Sequence, residues 1–95
     1  MLESSVERRL MRAARLLGGR AFKILPWVQR GLPDRLVVVP GQVWFIETKA
    51  PKKKLASHQR RMRDFFLELG LNWATLDTPD KVEAWMWERH EEREA

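Results

Sequence analysis

Two apolar segments separated by a tight turn constrain the fold of this chain more than any other feature. Residues 36–39 read Leu-Val-Val-Val, residues 42–49 read Gln-Val-Trp-Phe-Ile-Glu-Thr-Lys, and Pro40-Gly41 lies between them. β-Branched and aromatic residues favour strands, whereas a Pro-Gly pair favours a turn. The sequence therefore predicts a buried β-hairpin over residues 36–49.

The remaining segments predict helices and strands on both sides of this hairpin. Apolar spacing and the positions of Gly, Pro and Ser predict a helix over 4–17, an edge strand over 21–28, a helix over 57–69 beginning at a Ser57 cap, a strand over 72–76, and a last helix that starts at Thr78-Pro79-Asp80 and frays from Glu88. A capping box from Ser4 to Glu7 would begin the first helix. The order αβββαβα, with a right-handed crossover that leaves strands three and four parallel, predicts one α/β domain over residues 1–95.

Charge is distributed very unevenly along the chain. Residues 1–63 carry fifteen Lys and Arg against four acids, whereas residues 64–95 carry three against nine. Such a basic segment is typical of a protein that binds nucleic acid, although a solvated basic surface without a ligand would have the same composition. The four acids in the basic segment are Glu3, Glu7, Asp34 and Glu47. Each would weaken phosphate binding unless it had another role.

Other features exclude several classes of protein. The chain has no cysteine, so it forms no disulfide and no thiolate metal site. No apolar run approaches the roughly 20 residues of a membrane span, and the charged first ten residues lack a signal-peptide core. We therefore expect a cytoplasmic protein of a phage or its bacterial host, without membrane association. His58 and His90 lack ligand-like spacing, which excludes a histidine-based metal nuclease.

The end of the hairpin is the candidate site. Side chains alternate along a strand, so Glu47 and Lys49 should share one face. Asp34 and Glu47 lie six residues from Pro40 and Gly41 respectively, so strand pairing would bring them together. Two carboxylates and an ammonium suit phosphodiester hydrolysis with Mg²⁺ or Mn²⁺. The alternatives are a surface ion pair of Glu47 with Lys49, and a turn-forming role for Asp34.

These residues also resemble a known family. The pattern consists of Glu7-Arg8-Arg9-Leu10, Lys23, Gly31-Leu32-Pro33-Asp34-Arg35, Phe45-Ile46-Glu47-Thr48-Lys49 and Gln59. It is similar to that of the VRR-NUC domain, a branch of the PD-(D/E)xK nuclease superfamily, over residues 3–77. The resemblance implies an αβββαβ core with a mixed central sheet flanked by helices, and a divalent-metal-dependent endonuclease activity. Thr48 stands where many relatives carry Val or Leu.

The resemblance also implies a role for each residue. Asp34, Glu47 and the backbone carbonyl of Thr48 would bind the metal, and Glu7 would complete its ligands, with Glu3 as a competing candidate. Lys49 would be the catalytic lysine and Gln59 would support the site from the second helix. Lys23 would lie near the scissile phosphate. The expected DNA contacts are Lys23, Arg8, Arg30, Arg35, Lys52, Lys53 and Lys54.

Three consecutive apolar residues of the last predicted helix suggest how the protein assembles and which substrate it cuts. Trp85, Met86 and Trp87 are consecutive, so they cannot all face one core stripe of a helix. An exposed aromatic side chain often marks an interface, and we expect a homodimer whose two sites cut branched DNA such as a four-way (Holliday) junction. The alternatives are a non-catalytic nucleic-acid-binding module with the same fold, or a monomeric nuclease that nicks flaps.

Overall fold

The helices and strands follow the predicted order. A computed structural model describes residues 2–94. The elements are α1 (Glu3–Leu16), β1 (Arg20–Lys23), β2 (Arg35–Val39), β3 (Gln42–Thr48), α2 (Ser57–Glu68), β4 (Asn72–Leu76) and α3 (Pro79–Glu94). The strands form one sheet in the order β1-β2-β3-β4. The first two pairings are antiparallel and the last is parallel, which confirms the mixed α/β sheet.

The predicted hairpin has the expected register. Val39 pairs with Gln42 beside the turn, and Arg35 pairs with Ile46 at the other end. One step further along this register, Asp34 and Glu47 lie next to each other. The crossover through α2 then places β4 parallel to β3, so Glu47 lies opposite Thr75.

Alternate residues of the sheet face two different layers. On one face, α1 and α3 enclose the main core, which contains Val6, Leu10, Ala13, Ala14, Leu17, Val37, Val39, Ile46, Leu76, Val82 and Trp85. On the other face, Phe66 of α2 contacts Phe45 and Trp73 with ring centroids 4.7 and 5.6 Å apart. Because Glu47 follows Ile46, its side chain faces the α2 layer.

The start of the first helix and the end of the first strand differ from the predictions. The capping box is wrong, since α1 begins at Glu3 and Leu2 precedes it without a side-chain cap. Ser4 therefore lies inside the helix, and Glu7 has no capping role that would hold it away from the site. Strand β1 ends at Lys23 rather than Val28. Beyond Lys23 the chain leaves the sheet after the Ile24 N–H donates to the Asp34 carbonyl oxygen at 2.8 Å.

The later helices agree in position but differ at their ends. Ala56, not Ser57, is the residue that caps α2, and its N–H donates to Gln59 Oε1 at 2.9 Å. Thr78 caps α3 as predicted, since its Oγ1 accepts the Lys81 N–H at 3.1 Å. The predicted fraying from Glu88 is wrong. Arg89 is buried over the Trp44 ring at 4.2 Å, and Arg93 donates to the Leu17 carbonyl oxygen at 2.8 Å, so contacts with the core hold the last turns of α3.

Membrane insertion of a helix has no support in the part of the chain that the structure describes. Between residues 2 and 94, none of the helices combines the length and the apolar character that crossing a bilayer requires.

The connection between α1 and β1 predicts a sharp difference between two glycines. A Cβ atom at Gly19 would lie 1.9 Å from the Val38 carbonyl oxygen, which belongs to the sheet backbone and cannot move aside. Gly41 has φ +76°, but a Cβ atom added there would meet no atom within 4 Å. We expect Gly19→Ala to lower the free energy of unfolding by about 3 kcal/mol or more, and Gly41→Ala by only about 1–2 kcal/mol. Urea denaturation of both variants measures the difference, and equal midpoints would contradict this packing.

Candidate active site

Four parts of the chain meet at the open end of the β2–β3 hairpin. They are the first turns of α1, the loop of residues 24–34, the end of β3 and the start of α2. Together they enclose a cavity of about 280 Å³, whose walls include Glu3, Glu7, Lys23, Asp34, Glu47 and Gln59. The structure thus brings together all the acids of the basic segment and two of the predicted supporting residues.

Asp34 is fixed by the neighbouring strand. Its Oδ1 accepts the Thr48 N–H at 2.8 Å, and its Oδ2 accepts the Thr48 hydroxyl at 2.5 Å. Thr48 is fully buried, so water does not compete for these bonds. Sequence reasoning assigned Thr48 a carbonyl role and missed its hydroxyl. The signal that could have revealed it was a hydroxyl residue directly after Glu47, at a position where the resemblance implies Val or Leu.

Glu47 is held on both carboxylate oxygens. Its Oε1 accepts the Asp34 N–H at 3.0 Å, and its Oε2 accepts Gln59 Nε2 at 2.7 Å. Lys49 Nζ lies 3.7 Å from the same Oε2, so Glu47 and Lys49 share one face of the sheet as expected. Gln59 is itself oriented, because its Oε1 accepts the Ala56 N–H. The start of α2 therefore positions Glu47.

The environment of Glu47 disfavours its charge. Burial raises the pKa of this carboxyl from 4.5 to about 7, and the negative charge of Asp34 acts in the same direction. The ammonium of Lys49 opposes both effects but does not outweigh them. Such a site favours a cation, because positive charge would offset the repulsion between the two carboxylates.

Three carboxylates converge beside this pair. Oxygen atoms of Glu3, Glu7 and Asp34 all lie within 4.8 Å of one another. Glu7 is half-buried and faces Arg35 NH2 at 3.5 Å, whereas Glu3 is exposed. Glu47 lines the same cavity, but its oxygens are not part of this group. They accept from the Asp34 N–H and from Gln59 Nε2. Carboxylate oxygens in this number fit a hard divalent cation such as Mg²⁺ or Mn²⁺.

The predicted DNA contacts divide into exposed and buried residues. Six of them are exposed, namely Arg8, Lys23, Arg30, Lys52, Lys53 and Lys54. The structure disagrees with the prediction for Arg35, which is only 8% exposed and directs its guanidinium towards Glu7. Arg35 lies two residues before Val37 and therefore on the same face of β2 as this core residue. Its side chain points into the α1 layer, which explains the burial. Arg35 positions an acid of the cavity instead of contacting a ligand at the surface.

The chain is similar to known proteins in sequence and in fold. No family model matches the sequence. A protein of Acyrthosiphon pisum secondary endosymbiont phage 1, titled "Putative nuclease p44", is 39% identical over 79 residues, which cover 82% of this chain and 85% of that protein. A solved structure titled "VRR_NUC domain" superposes with a TM-score of 0.80 and 30% identity, covering 86% of this chain and 90% of that one. These two similarities, together with the acidic cavity at the end of the hairpin, confirm that the chain belongs to the VRR-NUC domain family.

Proposed function

We propose that this protein is a divalent-metal-dependent endonuclease that hydrolyses phosphodiester bonds in DNA. The observation that carries the proposal is the acidic cavity, in which carboxylate oxygens of Glu3, Glu7 and Asp34 lie within 4.8 Å of one another in an otherwise basic segment. The similarity to a phage protein titled as a nuclease supports it. Membership of the VRR-NUC family supports the same reaction class.

The residues of the cavity fit Mg²⁺ or Mn²⁺. In this proposal Glu7 and Asp34, whose oxygens belong to the same cluster, would hold the ion together with Glu47 of the same cavity and the carbonyl of Thr48. Glu3, whose oxygens also belong to the cluster but which is more exposed, would be the competing ligand from the first helix. A bound divalent ion would lower the pKa of a water molecule and offset negative charge on the phosphate. The two central carboxylates are those of Asp34 and Glu47. Thr48 and Gln59 keep them in place before substrate arrives, so little reorganisation is needed on binding.

In this proposal Lys49 would be the catalytic lysine, and its contact with Glu47 supports that role. Its ammonium lies 3.7 Å from Glu47, which lines the cavity, and about a fifth of its side chain remains exposed. There it would orient the attacking water or stabilise the negative charge that develops on the phosphate oxygens. Its interaction with Glu47 holds it in place in the absence of substrate.

The surface charges support DNA as the substrate. Lys23 lies in the wall of the cavity, and Arg8, Arg30 and residues 52–54 are exposed elsewhere on the surface. Phosphate contacts of this kind would position the duplex without reading its sequence. The absence of cysteine is consistent with action in the cytoplasm of a bacterium or a phage-infected cell.

Removing either central carboxylate should abolish cleavage. We expect Glu47→Gln and Asp34→Asn to lower the cleavage rate on the order of 100-fold or more, because each loses a negative oxygen that would bind the metal. The assay uses labelled duplex, flap, fork and four-way DNA with Mg²⁺, Mn²⁺ or EDTA. Glu68→Gln and Asp64→Asn are matched controls, since both acids lie on α2 outside the lining of the cavity.

Two outcomes of this assay would contradict the proposal. Full activity in either folded variant would show that the carboxylates are not ligands, and cleavage in EDTA would show that no metal is needed. A folded wild-type protein that binds DNA but cuts none of the substrates would support the alternative of a non-catalytic binding module.

The raised pKa of Glu47 predicts how metal and pH act together on stability. Above pH 4.5 the unfolded chain loses this proton, whereas the folded protein keeps it until about pH 7. In EDTA the free energy of unfolding of the wild type should therefore fall, relative to Glu47→Gln, as pH rises between these values. Mg²⁺ should raise the melting temperature more at about pH 8 than at about pH 6, because it binds the ionised carboxylates. Urea denaturation and thermal melts test this, and a pH-independent difference between the two proteins would refute it.

An exposed aromatic side chain on α3 suggests how the protein assembles. Of the three consecutive residues, Trp85 is buried, Met86 is half-buried and Trp87 is 54% exposed, so the predicted exposed aromatic is confirmed. The acids of α3 would repel DNA and leave this surface free for protein contact. We propose a two-fold homodimer through this surface, whose two sites would meet opposed strands of a four-way junction.

Assembly and substrate can be tested together. We expect the wild type to sediment as a dimer at micromolar concentration, and Trp87→Ser to sediment as a monomer with roughly tenfold slower paired cleavage of four-way junctions. Trp87→Phe should behave as the wild type because it keeps an aromatic surface. A monomeric wild type that nicks flaps and ignores four-way junctions would refute the dimer and favour the monomeric alternative.

A further inference from the structure

The loop of residues 24–34 has an apolar tip that the catalytic proposal does not use. Leu25, Trp27 and Val28 are 43%, 78% and 62% exposed. Among residues 2–94, Trp27 is the most exposed of the large apolar side chains. An indole held in water forgoes a large burial energy, and such side chains often mark a binding surface.

This tip belongs to the same loop that lines the acidic cavity. Leu25 and Pro26 precede Trp27 and line the cavity, as does Gln29 two residues after it. The loop ends at Asp34, one of the central carboxylates. Any group that contacts Trp27 therefore lies beside the proposed cutting site.

The base of the loop is anchored at two points. The Ile24 N–H donates to the Asp34 carbonyl oxygen at 2.8 Å, which closes the loop against β2. Gly31, with φ +91°, packs its backbone against α2, where an added Cβ would lie 2.8 Å from the His58 carbonyl oxygen. These contacts fix the direction in which the tip projects.

A second cavity, which we call the groove, continues from the loop onto α2. It has a volume of about 450 Å³ and is lined by Gln29, Arg30, His58, Arg61, Met62 and Phe65. Gln29 lines both cavities, so the two are adjacent. The lining includes two arginines and no acid, and Phe65 is 54% exposed. Basic side chains interleaved with exposed aromatic rings are typical of surfaces that bind single-stranded nucleic acid.

We propose that the tip and this groove bind unpaired nucleotides next to the scissile phosphate. The Trp27 indole would stack on a base at the point where a single strand leaves a duplex, and the strand would continue through the groove. Arg30 and Arg61 would contact its phosphates, and Phe65 would offer a second stacking surface. This inference rests on the proposed nuclease function and adds to it a contact for an unpaired strand, which flaps and forks possess and a fully paired four-way junction lacks.

A protein partner is a weaker occupant for this surface. The groove carries concentrated positive charge without compensating acids in its lining, which matches a phosphate backbone. Stacking on an aromatic ring tolerates any base, so the surface would select for DNA structure and not for sequence.

The test measures binding in EDTA, where the metal needed for the proposed cleavage is absent. The probes are a fluorescently labelled fork and a blunt duplex of the same length, at low salt. We expect Trp27→Leu to weaken fork binding roughly tenfold while changing duplex binding less than about twofold. Trp27→Phe should keep most of the fork affinity because it keeps an aromatic face. Leu16→Ala is the control, since Leu16 is 71% exposed on α1 and belongs to neither cavity.

A spectroscopic readout tests the contact itself. A 2-aminopurine base placed in the single strand beside the fork point should lose fluorescence on binding wild type or Trp27→Phe, and should not on binding Trp27→Leu. An unchanged fork affinity in Trp27→Leu, or an equal loss on fork and duplex, would overturn the inference.

Failure of the nuclease proposal and failure of the groove proposal give different results. If the wild type cleaves no DNA but the expected binding order holds, the nuclease proposal fails and the groove stands. If it cleaves with Mg²⁺ and Trp27→Leu binds and cuts forks normally, the groove fails alone.

Discussion

The contact between Asp34 and Glu47 at the end of the β2–β3 hairpin is the interaction on which the site depends. A register shift of one residue would turn Glu47 towards α1 and break its bonds to Asp34 and Gln59. The apolar residues Val37, Val39 and Ile46 prevent such a shift, because they would all leave the core together. Core packing therefore fixes the position of the charged groups.

This arrangement opposes the stability of the folded protein when its carboxylates are ionised. Several acids share one cavity, Glu47 is buried with a raised pKa, and the hydrogen bonds from Thr48 and Gln59 only partly compensate. The surrounding structure supplies the rigidity that keeps the groups together. Groups whose environment opposes their charge are common at functional centres, and in the proposed function a divalent cation would offset the repulsion between these carboxylates.

The two faces of the sheet differ in the layers that pack against them. The α1 and α3 layer holds the main core and extends to Arg89 and Arg93, whose contacts with Trp44 and Leu17 keep the acidic last helix in place. The α2 layer buries a small aromatic group around Phe66 and leaves its outer surface basic and partly apolar. The main core therefore lies on one side of the sheet, and the groove lined by Arg30 and Arg61 lies on the other side.

The sequence alone determined the order of elements, the hairpin register and the approach of Asp34 to Glu47, because strand periodicity and a tight turn are local properties. It also indicated Glu7, as one of four acids in a basic segment, and Gln59, but only family resemblance placed them at the site, since residues on separate helices have no local signal for their meeting. Tertiary structure decided the rest. It placed Ser4 inside α1, buried Arg35 against Glu7, ended β1 at Lys23 and held α3 together to Glu94, because each outcome depends on contacts between segments distant in the chain. The Thr48 hydroxyl bond and the projection of Trp27 belong to the same class, since a side chain's partners are set by packing and not by its neighbours in sequence.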